Sequence, residues 1–223
     1  MSKVILFDVN ETLLDLSPLQ PHFLRIFGEP VVMQQWFALL LHSSLVTTLT
    51  NAYSDFGTLA GAALDIVASQ KDVSLSDRDR NEILSAMKNI PPHPEVPDSL
   101  QRLKSAGLRL ATLTNSPREI LFAQMTNSEL SDYFEQLISV DEVRLFKPAR
   151  ETYRMAANKL GVETGQIRLV AAHDWDVFGA LRAGCHGAFL ARQGRIYHPL
   201  YERPDVMGPD LEEVADLILQ TDV

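Results

Sequence analysis

Three short and mostly apolar runs punctuate the chain at Val4–Phe7, Leu108–Leu113 and Ile167–Ala171. Runs of this length, without strict alternation of polar and apolar residues, predict strands buried on both faces. Ala188–Leu190 is a weaker candidate and Leu137–Ser139 a further one. Helical patterns fill the intervals. Pro97–Ala106 follows apolar Val96, carries Leu100 and Leu103 on one face and stops at Gly107. Pro117–Thr126 begins after Ser116, a natural N-cap, with proline in the first turn. Ala149–Leu160 and Asp176–Ala183 end at Gly161 and Gly184, and Asp210–Leu219 predicts a last amphipathic helix. Strands alternating with helices imply an α/β fold: a doubly wound parallel sheet, Rossmann-like, with helices on both faces. Such sheets bind ligands beyond the carboxyl ends of their strands. Asp8, Thr114, Asn115, His173 and Asp176 all fall there.

Ser17 to about Asn89 breaks the alternation. It is rich in Leu, Ala, Met and Phe at helical spacing and predicts an all-helical insert. Ile90–Pro97 holds four prolines and reads as the stiff return to the core. The expected division is a core of 1–16 and 92–223 with a helical domain of 17–91.

Composition narrows the function. The 223 residues are 46% hydrophobic and 22% charged, as in an ordinary globular protein. The net charge of −9 argues against nucleic-acid or anionic-membrane binding, though a local basic pocket can still accept an anion. No long uncharged apolar run predicts a membrane span. The first strand pattern begins almost at once, without a basic, apolar stretch ahead of it, so no signal peptide is expected. The single Cys185 forms no internal disulfide and fits a reducing compartment, so the expected location is cytoplasmic.

A carboxylate at the tip of a buried strand, as at Asp8, can attack an electrophile and form a covalent ester or acyl-phosphate; it can equally cap a turn. The surrounding motifs separate the two. DVNETLLD at Asp8–Asp15, LATLTNS containing Thr114, LFKPARETY containing Lys147 and VAAHDWDVFGA containing Asp176 occur in this order. In order and spacing they resemble the four motifs of the haloacid dehalogenase superfamily, and the helical insert resembles its cap domain. Most of that superfamily are magnesium-dependent phosphatases with a second aspartate two residues after the nucleophile and another early in the fourth motif. Here these positions are Asn10 and Ala172. An amide shuttles no proton and adds no charge, and alanine ligates nothing, so the chain resembles the 2-haloacid dehalogenases better.

That resemblance implies a small-molecule 2-haloalkanoate substrate, an aspartyl-ester intermediate and no cofactor. Asp8 is then the nucleophile, oriented by Thr12 and kept ionised by Lys147. Asp176 orients or activates the hydrolytic water, with Trp175 beside it. Asn10, Thr114, Asn115 and Tyr153 bind substrate or line its pocket. His173 is a ligand for water or halide, a general base, or a histidine bonded only to backbone. In the insert, Trp36 is followed by Phe37 where the relatives carry a substrate-clamping arginine. Adjacent helical positions face apart, so at most one of Trp36 and Phe37 lines the pocket; either His42, or backbone amides with Ser43 or Ser44, compensates for the arginine, or the substrate is a different one. Glu11 and Asp15 are expected in structural or exposed roles, His93 in solvent, and Leu39–Leu41 in interhelical packing or a dimer seam. Cys185 is expected as a small buried residue, and His186 and His198 lack zinc-site spacing. A homodimer is compatible with the resemblance. A phosphatase with altered metal binding and a non-catalytic binding protein on the same fold are the competing readings.

Overall fold

The computed structural model describes residues 4–223. Its centre is a parallel sheet of β1 (Val4–Phe7), β2 (Arg109–Thr114), β3 (Gln136–Ser139), β4 (Ile167–Ala171), β5 (His186–Leu190) and β6 (Val206–Gly208), in the order β3-β2-β1-β4-β5-β6. β1 lies between β2 and β4, with Phe7 opposite Thr112 on one side and Val170 on the other. All four residues of β1 and all five of β4 are buried, as their apolar runs require. The crossover direction reverses between β1 and β4, which opens a crevice at their carboxyl ends. The five expected strands are present. β6 was not foreseen: three residues in a Pro- and Asp-containing segment carry too little pattern to register.

Helices α1 (Gln20–Phe27), α2 (Val32–Leu49), α3 (Phe56–Gln70) and α4 (Asp77–Ala86) form the insert, which contains no strand among the described residues. Asp55 and Ser76 cap α3 and α4 by accepting from Thr58 N and Asp79 N. α5 (Val96–Ser105), α6 (Arg118–Asn127), α7 (Arg150–Leu160), α8 (Asp174–Arg182) and α9 (Leu211–Asp222) complete the sandwich. α7 stops at Gly161, whose φ of +66° suits a residue without a side chain. The N-cap position of α6 falls on Pro117 and carries no side-chain cap, while the hydroxyl of Ser116 accepts from Asn10 Nδ2. α8 begins two residues earlier than expected, at Asp174. No helix of the described residues is long and apolar enough to cross a membrane.

Candidate active site

The loop after β1 turns sharply. Thr12 N and Leu13 N both donate to Val9 O, and Glu11 N donates to Leu14 O. Asp8 is fixed at its start by donating its own N–H to Val170 O across the sheet. The Thr12 hydroxyl donates to Asp8 Oδ2 at 2.6 Å and accepts from Ala172 N at 2.9 Å. Thr12 therefore ties the first loop to the β4 loop through the side chain that orients the carboxylate.

Lys147 reaches the other carboxylate oxygen. Its Nζ donates to Asp8 Oδ1 at 2.8 Å, Asp176 Oδ2 at 2.6 Å and Leu113 O at 2.8 Å, which uses all three ammonium protons. The side chains of Lys147, Asp8 and Asp176 are 1%, 7% and 0% exposed. Burial works against an ionised Asp8, but Lys147 and His173 outweigh it and hold the carboxyl well below the usual range. Burial raises Asp176, and the neighbouring charge of Asp8 adds to this against the pull of Lys147. Asp176 Oδ1 accepts from Tyr153 OH at 2.7 Å, so both of its oxygens are occupied.

Tyr153 is fully buried and owes its place to Gly179. A Cβ there would lie 2.3 Å from Pro148 Cβ and 2.7 Å from Tyr153 OH. Gly179→Ala is expected to cost about 1–3 kcal/mol through overpacking. It should lower catalytic turnover as well, because the displaced hydroxyl no longer holds Asp176; urea unfolding alongside steady-state kinetics checks both effects.

His173 sits on the far side of Asp8. Nδ1 lies 3.2 Å from Asp8 Oδ2 and Nε2 lies 2.9 Å from Glu11 Oε2. Burial disfavours its imidazolium form, but the hydrogen bonds to Asp8 and Glu11 prevail and push its pKa up to about 9. Its ring packs between Trp175 and Phe37, with centroids 5.1 and 6.3 Å away. The second oxygen of Glu11 accepts from Arg195 Nη2 at 2.6 Å, and Arg195 Nη1 also donates to Ala172 O.

A cavity of about 510 Å³ opens between the insert and the core. Met33, Phe37 and Leu41 supply its apolar insert wall, and Glu11, His173, Arg192 and Arg195 its charged core wall. Of the two adjacent aromatics, Phe37 faces the cavity. Trp36 is buried among insert helices, packing on Phe23 and donating Nε1–H to Ala60 O. Only one of the pair lines the cavity, as helical geometry required.

Other expectations are corrected. His42 is exposed and lies off the cavity wall, and the Ser44 hydroxyl is turned back onto Leu41 O. Asn10 does not face the cavity: Nδ2 donates to Ser116 Oγ and Oδ1 accepts from Gln124 Nε2, both at 3.0 Å. Thr114 Oγ1 accepts from Ser116 N, and Asn115 Oδ1 accepts from Lys147 N at 2.9 Å, so both brace the loops around Lys147. Glu11, expected in a structural or exposed role, holds His173. His93, expected in solvent, lines the cavity, and its Nε2 is buried without a hydrogen-bond partner. Arg192 was not anticipated. It donates Nε–H to Thr12 O and pairs with Glu95 at 2.8 Å, while its Nη2 is buried without a hydrogen-bond partner. Cys185 is buried, which pushes its thiol up to about 12.

The donors do not suit the magnesium ion common in this fold. Magnesium needs an octahedron of hard oxygens. Here the Lys147 ammonium bridges Asp8 and Asp176, Asn10 is bonded away from them and Ala172 offers no side-chain donor. Among the described residues no three His, Cys, Asp or Glu side chains converge on a point that could hold a metal ion.

Residues 2–184 match the family model described as haloacid dehalogenase-like hydrolase. The chain belongs to that family. It is 30% identical over 218 residues to an (S)-2-haloacid dehalogenase of Pseudomonas sp. (strain YL), covering 96% of this chain and 94% of the relative. Among solved structures it is similar to L-2-haloacid dehalogenase from Xanthobacter autotrophicus, with a TM-score of 0.90, 26% identity and full coverage of both chains. The same Xanthobacter enzyme with chloropropionic acid covalently bound also aligns with a TM-score of 0.90, at 25% identity over the whole of both chains.

Proposed function

We propose that this chain hydrolyses the carbon–halogen bond of a small 2-haloalkanoate through an ester on Asp8, with no metal or other cofactor. The carrying observation is the position of Lys147 Nζ, which bonds both Asp8 and Asp176 and so supplies the positive counter-charge of these two carboxylates. A lysine so placed keeps the nucleophile ionised and leaves its carboxylate open to attack carbon. An Asp8 oxygen forms a bond to C2 as the C2–halogen bond breaks, and the halide leaves with the electron pair. Halide needs no proton, which agrees with an amide at position 10. Water then adds to Asp8 Cγ, and cleavage of the ester frees a 2-hydroxy acid and restores the carboxylate. The covalent adduct in the Xanthobacter enzyme supports the ester route.

Thr12 orients Asp8, and Tyr153 and Lys147 hold Asp176. The apolar wall of Met33, Phe37 and Leu41 receives the alkyl part. Arg192 and Arg195 bring positive charge to the opposite wall for the substrate carboxylate, the task that an arginine on the insert performs in the resembling enzymes. Residues 17–91 act as the cap over a core of 1–16 and 92–223, and the chain works in the cytoplasm.

With chloro- or bromoacetate and 2-chloropropionate, halide is expected at undiminished rate in excess chelator. A single turnover in heavy-oxygen water is expected to label Asp8 before the product, read by peptide mass spectrometry. Absence of halide release, with phosphomonoester hydrolysis that rises with magnesium, refutes the proposal.

A further inference from the structure

Resting on the ester route above, we infer that His173 is the general base that hydrolyses the ester, oriented by Glu11 and switched on by esterification of Asp8. Three observations lead there. Asp176 has Lys147 on one oxygen and Tyr153 on the other and is fully buried, so it is poorly placed to take a proton from water. His173 borders the cavity and places Nδ1 3.2 Å from Asp8 Oδ2, within reach of a water approaching Cγ. Glu11 holds the opposite nitrogen at 2.9 Å and is itself anchored by Arg195. A carboxylate on one nitrogen and the reacting group on the other is the nucleophile–base–orienter logic of acyl-transfer sites.

Glu11 adds an independent clue. It sits at φ +61°, a left-handed conformation that strains a residue with a Cβ. Glycine would meet the needs of the turn without that strain. The carboxylate that Glu11 brings to His173 is a gain that glycine lacks.

The charges explain the timing. Asp8 and Glu11 both face the ring directly. Arg195 lies behind Glu11, Lys147 lies behind Asp8, Asp174 adjoins from α8, and the cap contributes the uncharged Phe37. In the free enzyme two carboxylates favour the imidazolium, which cannot act as a base. Alkylation removes the charge on Asp8, leaves Lys147 less compensated and releases the His173 proton to solvent. Neutral His173, with Nε2–H directed at Glu11, then accepts a proton at Nδ1 while the water oxygen adds to Cγ. On collapse the bond from Cγ to the substrate-bearing oxygen breaks, and that oxygen takes the proton from Nδ1. The regenerated Asp8 carboxyl, now holding the water oxygen, returns its own proton to His173. The sum is haloacid plus water giving hydroxy acid, halide and one proton.

The test separates the two half-reactions. Mixed with excess 2-chloropropionate, the His173→Asn variant is expected to release about one halide per active site and then stall. The Asp8 peptide should carry the mass of the substrate less halide, and steady turnover should fall about 10²–10⁴-fold, the range for loss of a general base. Glu11→Gln is expected to show a partial form of the same stall. A second reading does not depend on turnover. In Asp8→Asn, whose neutral amide imitates the uncharged ester, NMR titration of the His173 ring is expected to show a lower pKa than in wild type, its signal assigned by its loss in His173→Asn. Equal slowing of halide release and ester hydrolysis in His173→Asn, or an unchanged His173 titration in Asp8→Asn, overturns this inference and leaves the ester route standing. Wild-type enzyme that releases no halide overturns both.

Discussion

Asp8→Asn is expected to abolish halide release, by about 10⁴-fold or more, while the protein still folds. An amide nitrogen or oxygen is a far weaker nucleophile than a carboxylate, and loss of a covalent nucleophile produces effects of this order. The fold should survive because asparagine nearly matches aspartate in shape. Lys147 also keeps Asp176 at 2.6 Å and Leu113 O at 2.8 Å, so the buried ammonium retains a counter-charge. Circular dichroism and thermal unfolding close to wild type, with no covalent adduct by mass spectrometry, are the expected readings. Substantial turnover in this variant would move the nucleophile to another side chain.

Lys147→Met is expected to damage both activity and stability. Methionine approximates the volume of the lysine stem but removes the ammonium that touches Asp8 and Asp176, two buried carboxylates. Breaking a buried ion pair on one side costs about 3–5 kcal/mol, because the remaining charge is left uncompensated. The sign of the pH effect follows from the direction of each shift. In wild type, Asp8 is depressed, so its contribution to stability is present above the unfolded carboxylate value and is lost as pH falls through the folded one. In the variant, burial and mutual repulsion raise both carboxyls. The destabilisation is then largest at neutral to alkaline pH and relaxes as acid protonates them. Urea midpoints at pH 5 and pH 8 should show the variant closer to wild type at the lower value. The acidic limb of the activity profile should move upward, since Asp8 needs a higher pH to ionise.

Much of this was legible in the sequence, for reasons that differ by element. The central strands are short apolar runs sealed on both faces, and the pattern declares them. α7 announces itself by its periodicity and by the glycine that stops it. Asp8, Thr12 and Lys147 occupy loops and Asp176 the first turn of α8, all at positions that follow buried strands or carry motif spacing, and the fold brings them together. The misses are of another kind. Glu11 and Arg195 stand 184 positions apart, and only the closed sheet makes them neighbours. Nothing local to either residue signals the contact, apart from a glutamate in a turn that favours glycine. The resemblance puts Asn10 at the substrate, but Gln124 on α6 and Ser116 before it claim both ends of its amide. His93 looked solvated because prolines surround it, yet the return linker passes beneath the cap. Polar side chains in loops were the hardest to place, since their partners are set by tertiary neighbours and leave no periodic trace.

Asp8 and Lys147, which meet in the site, stand 139 positions apart in the chain. Local folding supplies only the Asp8–Thr12 contact of this constellation, and contacts as distant in sequence as Asp8 to Lys147 close late. During refolding, helical dichroism should therefore recover ahead of dehalogenation. A chain arrested partway would be rich in secondary structure and catalytically silent, so recovered activity serves as an assay for completed β1–β4 pairing.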